Sequence, residues 1–122
     1  MKLLIVDDNP GVRRVIRSLV AKVAGEIREC ADGAEARALY NLQWPDFVLM
    51  DIQMSTLDGI AATQQIRAAD PAARVIMVTD YDQPDLREAA RQAGACAYVL
   101  KENLPELVGL LEATEAQDRR SS

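Results

Sequence analysis

The sequence predicts an α/β domain in which a parallel sheet carries helices on both faces. Five short runs of strand character alternate with segments whose apolar residues recur at helical spacing. Four of the runs are unbroken apolar stretches, the mark of strands buried on both sides. Alternation of this kind, with connections of a few residues, implies right-handed crossovers between parallel strands. At 122 residues the chain is about one domain long.

Taken in order, Lys2–Asp7 reads as the first strand, with Leu3, Leu4, Ile5 and Val6 uninterrupted. Asn9 is a good helix N-cap and Pro10 suits the first helical position. Val12, Val15, Ile16, Leu19, Val20 and Val23 then recur three and four apart as one apolar stripe, which Gly25 ends. Glu26–Cys30 alternates charged and apolar residues and suits a sheet edge. Asp32, with Glu35 three residues on, is a capping-box-like start for a helix over Ala34–Gln43. Phe47–Met50 is the next unbroken strand. A helix over Ile60–Ala69 stops ahead of Pro71, because the residue before a proline disfavours the helical region. Val75–Val78 is a strand. Leu86, Ala89, Ala90 and Ala93 make a helical stripe ended by Gly94, and Ala97–Leu100 is the fifth strand. Asn103 and Glu106 open a last helix carried by Leu104, Leu107, Val108 and Leu111. The domain is expected over residues 1–116. Gln117–Ser122 is set apart as a frayed polar tail, the start of a linker or the chain end.

Composition excludes several function classes. Hydrophobic residues at 49% and charged residues at 27% are the ordinary globular mix. No apolar run approaches the length of a membrane span, and the start MKLLIVDD lacks the long apolar stretch of a signal peptide. A cytoplasmic protein with no membrane contact is expected. The net charge of −5, with no basic stripe, argues against direct nucleic-acid binding. The absence of histidine removes His triads, His metal sites and His bases together. Cys30 and Cys96 lack metal-site spacing and are read as reduced, packed thiols. Trp44, just before Pro45, is read as packing at a loop.

Ligands of open parallel sheets bind outside the carboxyl ends of the strands. The first strand ends in Asp7-Asp8, the third in Asp51, the fourth in Thr79 and the fifth in Lys101. All of them should meet on one rim. Three carboxylates that close repel one another unless a cation lies among them. A set of few oxygen donors suits Mg²⁺, which keeps several waters and is completed by phosphate oxygens. With a lysine and a hydroxyl beside it, a carboxylate there is built to receive a phosphoryl group by in-line attack.

These segments, LIVDD, FVLMDIQMSTLDGI, VIMVTD and GACAYVLKEN, resemble the receiver domain of bacterial two-component response regulators. The resemblance runs from Lys2 to about Glu115. It implies a flavodoxin-like, doubly wound five-stranded parallel sheet of order 2-1-3-4-5 with five helices. It implies that Asp51 is the phospho-acceptor. Asp8 would bind Mg²⁺ directly and Asp7 mainly through water, with the backbone carbonyl of Gln53 completing the protein ligands and its side chain mattering less. Lys101 would pair with the phosphoryl group, Thr79 would hydrogen-bond it, and Thr79 with Tyr98 would form the switch. The implied donor is a sensor histidine kinase or phosphotransfer protein, and the implied receiver of the signal is a downstream output domain or protein. The chain would be a monomer or a phosphorylation-linked homodimer, assisting its own phosphorylation and dephosphorylation without being a turnover enzyme.

Three positions depart from the common family pattern. Ser55 follows Met54 where proline is frequent, so a slightly looser loop is expected. Glu102 follows Lys101 where many members carry a cis proline, and a non-proline cis bond costs about 3 kcal/mol, so a trans bond is expected. Asp80 follows Thr79 where a small residue is usual, either as a modulator of the acyl phosphate or as an outward turn residue. With the implied strand order, Cys30 and Cys96 fall on opposite edges, roughly 19 Å apart, beyond disulfide reach. Two rival readings remain at this point. One is a binding module that keeps the fold and signals without phosphate. The other is an aspartyl-nucleophile phosphatase, whose spacing of a second Asp two residues after the first-strand nucleophile is broken by Asn9.

Overall fold

Side chains alternate across a strand, so an unbroken apolar run feeds two interiors at once. The computed structural model describes the backbone of residues 1–54 and 57–121 and side chains as far as Thr114; Ser55 lies outside the described residues. Its elements are β1 (Lys2–Val6), α1 (Pro10–Val20), β2 (Glu26–Cys30), α2 (Gly33–Gln43), β3 (Phe47–Met50), α3 (Gly59–Ala69), β4 (Val75–Thr79), α4 (Pro84–Ala93), β5 (Ala97–Leu100), a short 3₁₀ turn (Lys101–Asn103) and α5 (Pro105–Ser121). The strands form one parallel sheet of order β2-β1-β3-β4-β5. Leu3, Ile5, Phe47, Leu49, Ile76 and Val78 face α1 and α5, meeting Ile16, Val20, Leu107 and Leu111. Leu4, Val6, Val48, Met50, Val75 and Met77 face the opposite layer, where Ala36, Tyr40, Ala62, Ile66 and Ala90 come from α2, α3 and α4. Among the described residues no helix is long and apolar enough to cross a membrane.

Local chemistry fixes the helix ends. Asn9 Oδ1 accepts from the backbone N–H groups of Gly11 and Val12, as an N-cap should. Asp32 Oδ1 accepts from Glu35 N at 2.8 Å, while the Glu35 carboxylate reaches back to Ala31 N at 3.4 Å, one residue short of the reciprocal box. Gly94, at φ 105°, caps α4 in the left-handed region that glycine adopts freely.

Several sequence expectations are corrected. Helix α1 stops at Val20, because Val23 N and Ala24 N both fold back onto the Val20 carbonyl before Gly25 is reached. Val15, on the flank of the stripe, is 50% exposed. Asn103 belongs to the 3₁₀ turn, and α5 opens at Pro105, whose fixed φ and missing N–H suit a first helical position. The backbone of α5 continues to Ser121, through most of the segment set apart as a tail. Trp44 does pack at a loop: it ends α2 at φ 51°, donates its N–H to the Tyr40 carbonyl and sets its ring 6.1 Å from the Tyr40 ring, with the residue 64% exposed. Cys30 is buried but Cys96, just ahead of the edge strand β5, is exposed. Both thiols are free, one on each edge strand's side of the sheet. The Lys101–Glu102 bond is trans, as are all described peptide bonds.

Candidate functional site

The register builds the rim. Val6 pairs with Cys30 on one side and Met50 on the other, so Asp7 and Asp51 follow one matched rung of β1 and β3. Asp51 N donates to the Val6 carbonyl at 2.9 Å, and Asp7 N donates to the Cys30 carbonyl at 3.2 Å. Thr79 pairs with Leu100, so Lys101 leaves β5 one residue beyond it. The first residue of α3 closes the site from behind. A β-carbon on Gly59 would stand 1.9 Å from the Asp51 carbonyl oxygen, which is less than any real contact, so only glycine fits there. Gly59 N donates to the Ile52 carbonyl at 2.7 Å and holds the β3–α3 loop against the strand end.

Asp7, Asp8 and Asp51 each place a carboxylate oxygen within 4.8 Å of the others. Asp7 and Asp51 are buried, whereas Asp8 is exposed. Lys101, with a side chain 14% exposed, brings Nζ to 2.9 Å from Asp7 Oδ2 and 3.4 Å from Asp51 Oδ2. Asp51 Oδ1 accepts from Ile52 N at 2.9 Å. Burial, followed by the neighbouring Asp7 charge, pushes the Asp51 carboxyl up to about 6, against the opposing pull of Lys101 and the Ile52 hydrogen bond. Burial works to lower the Lys101 ammonium, but its bond to Asp7 and the Asp51, Asp7 and Asp80 charges outweigh that, and it stands above its ordinary value. Two buried carboxylates with one ammonium between them leave a net negative charge in a poorly solvated place. Asp7 Oδ2 is buried and has the Lys101 ammonium at 2.9 Å as its charged neighbour. An all-oxygen donor set that carries more negative charge than its one ammonium offsets fits a small hard cation such as Mg²⁺.

The other expected residues are placed as follows. Thr79 is buried at the end of β4, and its hydroxyl accepts from Tyr81 N at 3.4 Å. Asp80 stands at the edge, 71% exposed, with an oxygen 4.0 Å from Lys101 Nζ. Tyr98 lies deeper along β5, opposite Met77 rather than at the rim. It is half-buried, donates its hydroxyl to the Tyr81 carbonyl at 2.6 Å and carries the Arg87 guanidinium over its ring at 4.6 Å. The Gln53 side chain is engaged: its Oε1 accepts from the Tyr81 hydroxyl at 2.8 Å, tying the β3–α3 loop to the β4–α4 loop. Sequence reading passed over Tyr81, which touches Gln53, Thr79 and Tyr98 together. No local pattern marks it, since its partners come from the β3–α3 loop, the end of β4 and the middle of β5. Arg13 was also missed. It lies in the first turns of α1 and donates to the Asp7 main-chain carbonyl.

Open parallel sheets take their ligands at the carboxyl rim, and in this doubly wound sheet that rim carries an acid cluster and a lysine. The model of the response regulator receiver domain matches residues 3–112, and the chain belongs to that family. It is therefore a signalling domain of two-component systems. It is 36% identical over 100 residues to the chemotaxis protein CheY of Halobacterium salinarum, covering 82% of this chain and 83% of that one. It is 35% identical over 120 residues to the transcriptional regulatory protein PdtaR of Mycobacterium tuberculosis, covering 97% of this chain and only 58% of PdtaR. Among solved structures, a two-component response regulator of the LuxR family from Aurantimonas sp. SI85-9A1 superimposes with a TM-score of 0.87 at 38% identity, covering 95% of this chain and 85% of that one.

Proposed function

We propose that this chain accepts a phosphoryl group on Asp51 from a phosphohistidine of a sensor histidine kinase or phosphotransfer protein. The observation that carries the reading is the gathering of Asp7, Asp8 and Asp51 within 4.8 Å, with Lys101 against two of them. Asp7, Asp8, Asp51 and the Gln53 backbone carbonyl would hold Mg²⁺. Bound there, the cation supplies positive charge that offsets the carboxylates and the phosphoryl oxygens. The chain's own groups do the rest. The Asp51 carboxylate attacks phosphorus in line, an O–P bond forms, and the P–N bond breaks with its electron pair going to the donor imidazole, which takes up a proton. Lys101 faces the oxygens of the transferred group. The Thr79 hydroxyl, held among the described residues by a long contact from Tyr81 N, is available to donate to one of them.

The same contact suggests how occupancy reaches the surface. Movement of Thr79 carries Tyr81 with it, and the Tyr81 carbonyl holds the Tyr98 hydroxyl. Tyr98 in turn lies under Arg87 of α4. The α4–β5–α5 surface thereby changes between two arrangements and selects a downstream output domain or protein, or a second copy of the chain. Asp80, exposed at the rim, contributes a solvent-screened charge to this pocket. Incubation with acetyl phosphate and Mg²⁺, followed by intact-mass measurement, tests the reading. Wild type should gain the mass of one phosphoryl group, and Asp51→Asn should gain none. An unlabelled wild type, or undiminished labelling of the variant, would overturn it.

A further inference from the structure

The acid cluster depends on how the Asp7–Asp8 peptide is turned. Asp8 is exposed, and its carboxylate has no hydrogen-bond or ion-pair partner among the described residues. What the rest of the fold fixes is therefore the backbone position from which it reaches the cluster. The carbonyl of Asp7 belongs to the peptide unit joining the two aspartates, so fixing that carbonyl fixes where the Asp8 Cα stands and leaves only rotation about its own N–Cα and side-chain bonds. Arg13 holds it: Nη1 donates to the Asp7 carbonyl oxygen at 2.6 Å. The same guanidinium reaches out through Nε to Glu29 Oε1 at 3.2 Å. Glu29 lies on the edge strand β2, and its other oxygen is held by Arg17 Nη1 at 2.9 Å. An interlock of two α1 arginines with one β2 glutamate thus ends on the main chain of the acid cluster.

We infer that Arg13 is a positioning residue for the cation site, holding Asp7 and Asp8 in the presenting geometry through its fork between the Asp7 carbonyl and Glu29. The inference rests on the reading that this cluster binds Mg²⁺. A planar guanidinium serves two acceptors in fixed directions at once, which a lysine ammonium of the same charge does not reproduce. That difference separates positioning from charge. If Arg13 acted only through its charge, removing it would tighten binding of a cation, and Arg13→Lys would change nothing. If it acted only in folding, its variants would melt earlier and bind as wild type does.

The test is calorimetric titration of the full chain with MgCl₂, alongside melting curves in chelator. We expect Arg13→Lys and Arg13→Met both to weaken Mg²⁺ binding by about threefold to tenfold, on the order of 1 kcal/mol. Glu29→Gln, on the edge strand, should weaken it less and in the same direction, and it decides the matter if the Arg13 variants fail to fold. Asp8→Asn should weaken binding more than any of these. Arg13→Lys within twofold of wild type, or tighter binding in Arg13→Met, overturns the inference while the cation site stands. Unchanged binding in Asp8→Asn overturns the cation site, and the inference with it.

Discussion

Asp51→Asn raises the melting temperature of the metal-free protein at neutral pH. Burial and the Asp7 charge hold the folded Asp51 carboxyl at about 6, above its ordinary 3.8. A carboxyl raised on folding contributes its stability in the protonated form. That contribution is complete below about 3.8 and is lost as pH rises through about 6. The difference corresponds to about 3 kcal/mol in an upper-bound reading. The amide removes the charge and keeps the shape, so it escapes the loss. For a chain of 122 residues that upper bound amounts to roughly 12 °C. Scanning calorimetry in chelator should show the variant and wild type converging near pH 4, separating between pH 4 and 6, and running parallel above. A variant that melts no higher than wild type at pH 7 would contradict the electrostatic account of the cluster.

Lys101→Met should act in the opposite direction in the same buffer. Lys101 Nζ stands 2.9 Å from Asp7 and 3.4 Å from Asp51. Removing it leaves two buried carboxylates facing each other with no cation between them. Breaking a largely buried ion pair from one side costs about 2–4 kcal/mol here, less than for a fully dry pair because Asp8 and Asp80 are solvated. Urea denaturation in chelator measures it. The Asp51 carboxyl should also titrate higher than in wild type, since a lowering influence is gone. Saturating Mg²⁺ should recover part of the lost stability. Phosphorylation by acetyl phosphate should fall as well, because Lys101 faces the transferred group. A Lys101→Met protein as stable as wild type without metal would show that the lysine does not neutralise the cluster. The two substitutions therefore form a signed pair: removing a carboxylate stabilises and removing the ammonium destabilises.

Much of this site was legible in the sequence because a parallel sheet aligns its strand ends. Asp7, Asp8, Asp51, Thr79 and Lys101 each close or follow an apolar run, and the observed register carries all of them to one edge. Strand bounds were largely readable, since the buried runs of β1, β3 and β4 carry no polar residue between their end residues. What escaped was set by contacts between distant segments. Tyr81 has no local signature, yet it meets Gln53 after β3 and Tyr98 within β5. The side chain of Gln53 was discounted because the resemblance assigns a role to its carbonyl alone. Periodicity also overran the end of α1, because Val23 packs on the same interior as the helix after the chain has turned at Val20. Cys96 was read as packed by residue type, and its exposure follows from its place just ahead of the edge strand β5.

The central claim is that Asp7, Asp8 and Asp51 together hold one divalent cation. The rise in melting temperature on adding saturating Mg²⁺ tests it most directly, compared between wild type and the Asp8→Asn/Asp51→Asn double variant. A ligand at a hundred times its dissociation constant stabilises the folded state by about 2.7 kcal/mol. Wild type should therefore melt several degrees higher with Mg²⁺ than in chelator, and the double variant should melt at the same temperature in both. An equal rise in the two proteins would place the cation elsewhere and contradict the account.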